Sequence, residues 1–169
     1  YAGICGPNVQ QNSDAYFHQR SIQEISEFLQ SGWNNCSTIL STANPSPTIT
    51  STSGNKTIPY GTPFILTTNA TDNTPNSLTY TWEQMNNNIS TQPPAATSTT
   101  GPNFRSVSPT STNWRSFPST ATVLAGTTNQ NGIVSSTWER LPTVGRTMKF
   151  ATTVRDNGTA NGGQTKSSE

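Results

Sequence analysis

The sequence predicts a mainly β fold, an antiparallel sandwich preceded by a short loop-and-helix segment, and three observations predict it. From Asn44 onward the chain is rich in Thr, Ser, Asn, Gly and Pro, and its short apolar runs repeat with a period of two. Turn clusters at Asp72–Asn76 and Asn157–Gly163 punctuate those runs. Residues 1–43, by contrast, hold both cysteines, the single histidine and the one convincing helical pattern. The break divides the chain into residues 1–43 and 44–169.

Within the first segment, Ser21-Ile22-Gln23-Glu24 has the form of a capping box, in which Ser21 accepts from an amide three residues on and Glu24 reaches back. Ile22, Ile25, Phe28 and Leu29 then fall on one face at helical spacing, and Ser31-Gly32 supplies a stop. This predicts a helix over about 21–31. The two cysteines, in a charge-poor Thr/Asn-rich chain, suggest an oxidising location where Cys5 and Cys36 pair, the alternative being two free thiols. Such a bridge is worth about 3–4 kcal/mol in the chain-entropy picture. One amphipathic helix and a stapled loop cannot build a core, so they must pack on the β region or on a domain outside the chain.

In the second segment Phe64, Leu66, Thr68 and Ala70 alternate with Ile65, Thr67 and Asn69. Leu78, Tyr80 and Trp82 alternate with Thr79, Thr81 and Glu83, and Met148, Phe150, Thr152 and Val154 with Lys149, Ala151, Thr153 and Arg155. Residues 121–124 and 136–139 are shorter strand candidates. Asn44-Pro45-Ser46-Pro47 reads as the linker, since each proline restricts itself and its predecessor. Between Met85 and Thr120 lie roughly 35 residues with little strand pattern, longer than ordinary connections.

Hydrophobic residues make up 29% of the chain and charged residues 10%, both low for a globular protein. Four Trp, six Phe and four Tyr are nevertheless enough large side chains for a modest β core. A net charge of +1, with no basic stripe, argues against nucleic-acid binding driven by phosphate neutralisation. No apolar run approaches the ~20 residues of a bilayer span. The chain opens on Tyr1 with neither an initiator Met nor a signal peptide, so an N-terminus set by processing or proteolysis is expected.

Tyr1-Ala2-Gly3-Ile4-Cys5-Gly6, Asp14-Ala15-Tyr16-Phe17-His18 and Ser21-Ile22-Gln23-Glu24-Ile25 together resemble the end of a reprolysin-like metzincin peptidase domain of secreted bacterial proteins. Leu78–Gln84, Gly101–Ser106, Trp138–Arg146 and Thr153–Asn157 resemble the immunoglobulin-like module that follows that domain. The resemblance implies a secreted parent whose zinc-activated water cleaves peptide bonds, with Tyr1, Ala2 and Gly3 forming a wall of its substrate pocket. It also implies that the remainder of the peptidase domain is a partner of this chain.

The family's three-imidazole zinc site is missing here, because the chain has one histidine. Zinc is therefore expected in the parent only, and His18 reads as a packing residue ahead of the helix. Modules of this type start their last strand where the chain ends, at Ser167-Ser168-Glu169. The sandwich is thus expected one strand short or completed from elsewhere.

Phe104-Arg105-Ser106 and Trp114-Arg115-Ser116 echo one another within the long segment. Arg105, Trp114 and Arg115 form either a recognition surface for a protein or glycan, or a latch in which guanidinium groups bind loop carbonyls. Asp72, Glu83 and Asp156 sit in acidic strand-end contexts that would suit Ca²⁺, the alternative being ordinary Asp/Asn turn chemistry. Glu83 and Glu139 each follow a tryptophan and would suit a sugar groove, although a core role for such tryptophans is more usual. Asn55, Asn69 and Asn88 match the glycosylation pattern, as so Asn/Thr-rich a composition makes expected. The sequence-level expectation is a non-catalytic C-terminal part of a secreted peptidase, with a stand-alone extracellular binding module as the alternative.

Overall fold

The computed structural model describes residues 14–31, 43–73, 77–89, 94–125, 133–134, 139–158 and 165–168. The expected Cys5–Cys36 pairing and the pocket wall at Tyr1, Ala2 and Gly3 lie outside them.

In chain order the elements are α1 (Gln19–Gln30), β1 (Thr48–Thr52), β2 (Phe64–Thr71), β3 (Thr79–Gln84), β4 (Trp114–Phe117) and α2 (Thr120–Leu124). They continue with β5 (Ile133–Val134), β6 (Glu139–Arg140), β7 (Phe150–Arg155) and β8 (Thr165–Ser168). The fold is mainly β and antiparallel. One three-stranded sheet has the order β1-β2-β4, a second has β3-β7-β8, and β5 pairs with β6. Side chains of both larger sheets meet in one core, where Trp82, Phe104, Phe117 and Leu141 are buried and Phe64, Leu66, Met148 and Phe150 pack around them. Phe117 is fully buried and contacts the rings of Phe64, Phe104 and Phe150 at centroid distances of 5.1, 5.2 and 4.8 Å. Such aromatic pairs add about 0.5–1.5 kcal/mol each beyond their buried area. Across the core, Thr68 Oγ1 donates to Thr152 Oγ1 at 2.9 Å, which satisfies two buried hydroxyls.

The alternation of β2 appears where the sequence puts it, but β3 and β7 are buried on both faces. One face of the pair, with Trp82, Phe150 and Val154, turns to the core. The opposite face, with Thr81, Glu83 and Arg155, receives the residues leading into α1. A β face that reads as polar in sequence is thereby covered by the N-terminal segment.

Three expectations change. Helix α1 begins at Gln19, ahead of the expected Ser21, and the capping box does not form. His18 is the N-cap, its Nδ1 accepting from the Arg20 amide at 3.1 Å, while Glu24 Oε1 takes the Arg20 Nε donor at 2.8 Å. Residues 120–124 are helix α2 rather than strand, because Ser119 Oγ caps the Thr122 amide and outweighs the β-branched composition. The long segment contains β4, whose four residues pair with Phe64–Thr67 of β2. Near the end of the sequence β8 runs antiparallel to β7, with Thr165 opposite Arg155. Among the described residues, no helix is long and apolar enough to cross a membrane.

Candidate functional site

Two constellations combine charged or aromatic groups with burial. The first joins α1 to the β3–β7 face. Glu83 is fully buried, and its Oε2 accepts from the Gln19 amide at 2.7 Å. Its Oε1 accepts from Ser106 Oγ, and Ser106 is itself 2.7 Å from the Tyr16 hydroxyl. The carboxylate thus meets an N-terminal amide of α1, where an unpaired donor and the helix dipole both favour negative charge. Arg155 completes the clamp, donating to Thr81 Oγ1 at 2.7 Å and to the Phe17 carbonyl at 2.9 Å, with its guanidinium 5.8 Å from the Tyr16 ring centre. His18 Nε2 lies 3.8 Å from Glu83 Oε1. Burial holds His18 below a histidine's ordinary value, with Glu83 opposing the shift. Desolvation raises the Tyr16 hydroxyl.

The second constellation surrounds a corner at which the chain changes sheets. Tyr80 exchanges both backbone bonds with Thr110, at 2.7 and 3.1 Å, so residues near 110 run beside β3. A few residues later Trp114 begins β4 against β2. The splay between these contacts opens a cleft of about 390 Å³, lined by Tyr80, Arg105, Val107, Thr110, Trp114 and Arg115 among others. Trp114 is 42% exposed there. At the inner wall Arg115 Nη2 donates to Glu139 Oε1 at 2.7 Å and to the Arg105 carbonyl at 2.6 Å, and Nη1 donates to the Trp82 carbonyl. The Arg115 guanidinium also lies 4.5 Å from the Phe117 ring centre. Glu139 Oε2 accepts from the Ser119 amide at 2.9 Å, fixing the start of α2. Burial lowers the Arg115 pKa, and Glu139 opposes the shift.

The residues singled out for surface binding therefore share one cleft but differ in role. Arg115 is a latch, holding two carbonyls and a buried carboxylate. Arg105 sits 4.0 Å from Asp14 and donates to the Ser106 carbonyl at 3.2 Å. Trp114 is the displayed member. A third arginine, Arg146, latches the same long segment by donating to the carbonyls of Ser98 and Gly101 and to Asn103 Oδ1. Gln84 Oε1 helps by accepting from the amides of Asn103 and Phe104 at 2.7 and 3.1 Å.

The acidic candidates are not brought together. Glu83 pairs opposite Ala151, whereas Asp156 follows Arg155 at the other end of the same ladder. Asp156 is buried, accepting from Asn44 Nδ2 at 2.6 Å and from the Gly158 amide at 3.1 Å. Asp72 follows the end of β2. Among the described residues no three His, Cys, Asp or Glu side chains are grouped to hold a metal. Glu83 and Glu139 are both buried and committed to internal bonds, and Trp82 belongs to the core. Trp138 lies outside the described residues.

Sequence reasoning missed Tyr16, Arg155 and Tyr80 as site residues. A carboxylate at a strand position beside a core tryptophan was the available signal for the clamp. Nothing local marks Tyr80, whose place in the cleft depends on the distant Thr110. A wider groove of about 1100 Å³ opens elsewhere, lined in part by Ile58, Tyr60, Met148 and Phe150. Comparison with models of known protein families, with curated proteins and with solved structures finds no match for this chain.

Proposed function

We infer that this chain is a non-catalytic C-terminal portion of a secreted zinc metallopeptidase, made of the peptidase domain's last helix and an immunoglobulin-like sandwich. The observation that carries the reading is the state of α1. Its N-terminus is bound to the sheet by Glu83 and Arg155, yet no residue of the helix is buried. Ile25, Phe28 and Leu29 remain 45%, 60% and 49% exposed on its apolar face. A helix anchored at one end, with its apolar stripe uncovered, suits a part shared between this unit and a larger domain. The motifs of residues 1–25 supply the peptidase assignment, and the antiparallel sheets with a common core are compatible with an immunoglobulin-like sandwich.

The test is made on the native polypeptide in its source culture medium. It is expected to exceed the 18.1 kDa of this chain and to cleave casein in a chelator-sensitive manner. A secreted native polypeptide of that same mass, without such activity, would overturn the reading. The second reading, an extracellular binding module complete in itself, draws its support from the Trp114 cleft.

A further inference from the structure

We propose that the cleft between Tyr80 and Trp114 is a binding site for a neutral glycan chain. The inference rests on the binding-module part of the reading above and needs nothing of its peptidase part.

Three features of the cleft define the ligand. The first is charge. Its two arginines already face carboxylates, Arg115 with Glu139 at 2.7 Å and Arg105 with Asp14 at 4.0 Å. Of the two carboxylates Glu139 lines the cleft and Asp14 stands outside the lining, so each guanidinium already has a carboxylate beside it and the cleft offers a ligand ion little unmatched charge. The second is the aromatic surface. Trp114 lies at the rim with 42% of its surface in solvent, and Tyr80 lines the same space. An indole face suits a flat, partly apolar ring and offers large contact area with few rotatable bonds to immobilise.

The third is the supply of hydroxyls. Ser108, Thr112 and Thr120 line the cleft as exposed residues, and their hydroxyls have no side-chain hydrogen bond among the described residues. A hydroxyl both donates and accepts, which matches a ligand whose own polar groups are hydroxyls. Neutral, ring-faced and hydroxyl-rich together describe a sugar. At about 390 Å³ the cleft falls at the small end of ligand pockets, which run roughly 300–1,000 Å³, and is open to solvent at the Trp114 rim. It therefore suits a short stretch of a longer chain passing through.

The walls are built before any ligand arrives. Arg115 fixes the Trp82 and Arg105 carbonyls, Glu139 fixes Ser119, and the Tyr80–Thr110 bridge fixes the opposite edge. A site held in shape by internal bonds binds without the cost of ordering its loops.

The experiment is isothermal titration of the whole 169-residue chain with cellohexaose, xylohexaose and mannohexaose, beside hexagalacturonate as an acidic probe of equal length. At least one neutral hexasaccharide is expected to bind saturably, and hexagalacturonate to bind more weakly. Trp114→Ala is expected to weaken the binding about tenfold or more, whereas Trp114→Phe, which keeps an aromatic face, stays within about threefold. Thr112→Val, a change on an exposed side chain, is expected to weaken it about threefold or more at an unchanged melting temperature. Absence of binding by all three neutral probes overturns the proposal. So does tighter binding of the acidic probe, or unaltered binding by Trp114→Ala. Failure here leaves the peptidase reading standing, and a native polypeptide without peptidase activity leaves this site standing.

Discussion

Glu83 shows how one side chain is reassigned by its surroundings. In sequence it is the polar member of an alternating strand, next to Trp82 and suited to solvent, calcium or sugar. In the folded chain it is fully buried and accepts from the Gln19 amide and from Ser106. Replacing it by Gln keeps the shape but turns one acceptor into a donor, which then faces an N–H or hydroxyl donor. Hydrogen bonds to a charged group contribute about 1.5–3 kcal/mol, so Glu83→Gln is expected to lower unfolding free energy by about 2 kcal/mol. Urea denaturation checks this, and a midpoint equal to wild type would show that the clamp contributes nothing. Trp114 is the opposite case. Its place in the Trp114-Arg115-Ser116 echo was legible, whereas the difference between a displayed indole and a buried neighbouring guanidinium was not.

At the scale of elements, the Arg115–Glu139 ion pair joins β4 to β6 at the corner where α2 starts. Arg115 and Glu139 have side chains only 10% and 4% exposed. Removing one partner of a buried pair leaves an uncompensated charge and costs about 3–5 kcal/mol, whereas replacing both by apolar residues is often neutral. Glu139→Gln should therefore destabilise by about 3 kcal/mol, and Arg115→Met with Glu139→Leu should recover most of that loss in a double-mutant comparison. A double variant as unstable as the single one would locate the stability in the carbonyl contacts of Arg115 instead. This corner also explains why β4 escaped the periodicity reading. An inward arginine in a four-residue strand breaks the apolar alternation by which strands are recognised. The strand expectation at 121–124 fails for a related reason, since a Ser cap at 119 decides locally what β-branched composition would otherwise suggest.

For the whole molecule, the junction between the N-terminal segment and the sheets should respond to pH through the chain's one histidine. His18 caps α1 with an Nδ1 that must carry no proton, and burial keeps its pKa below the ordinary value of 6.5, against the pull of Glu83. As pH falls below 6.5 the unfolded chain therefore takes up the proton first, and stability declines until the depressed folded value is passed. The urea midpoint is expected to fall between about pH 7.5 and pH 5.5 in the wild type. His18→Asn, which supplies a cap that does not titrate, should flatten that fall. An equal decline in both proteins would place the proton elsewhere.

By itself the sequence determined the β character, strand patterns at 64–70, 78–83 and 148–155, an amphipathic helix at about 21–31, and a single histidine where a three-imidazole zinc site needs three. These follow from period, composition and residue counts, which are local properties. Tertiary structure alone decided that His18 rather than Ser21 caps the helix, that Glu83 and Glu139 are buried anchors, and that Tyr80 and Trp114 share a cleft. The last two depend on partners tens of residues away, and the cap, itself a local bond to Arg20, sits beside a Gln19 amide that the distant Glu83 takes up. A buried polar group takes whichever partner the fold delivers, and local sequence carries no record of it.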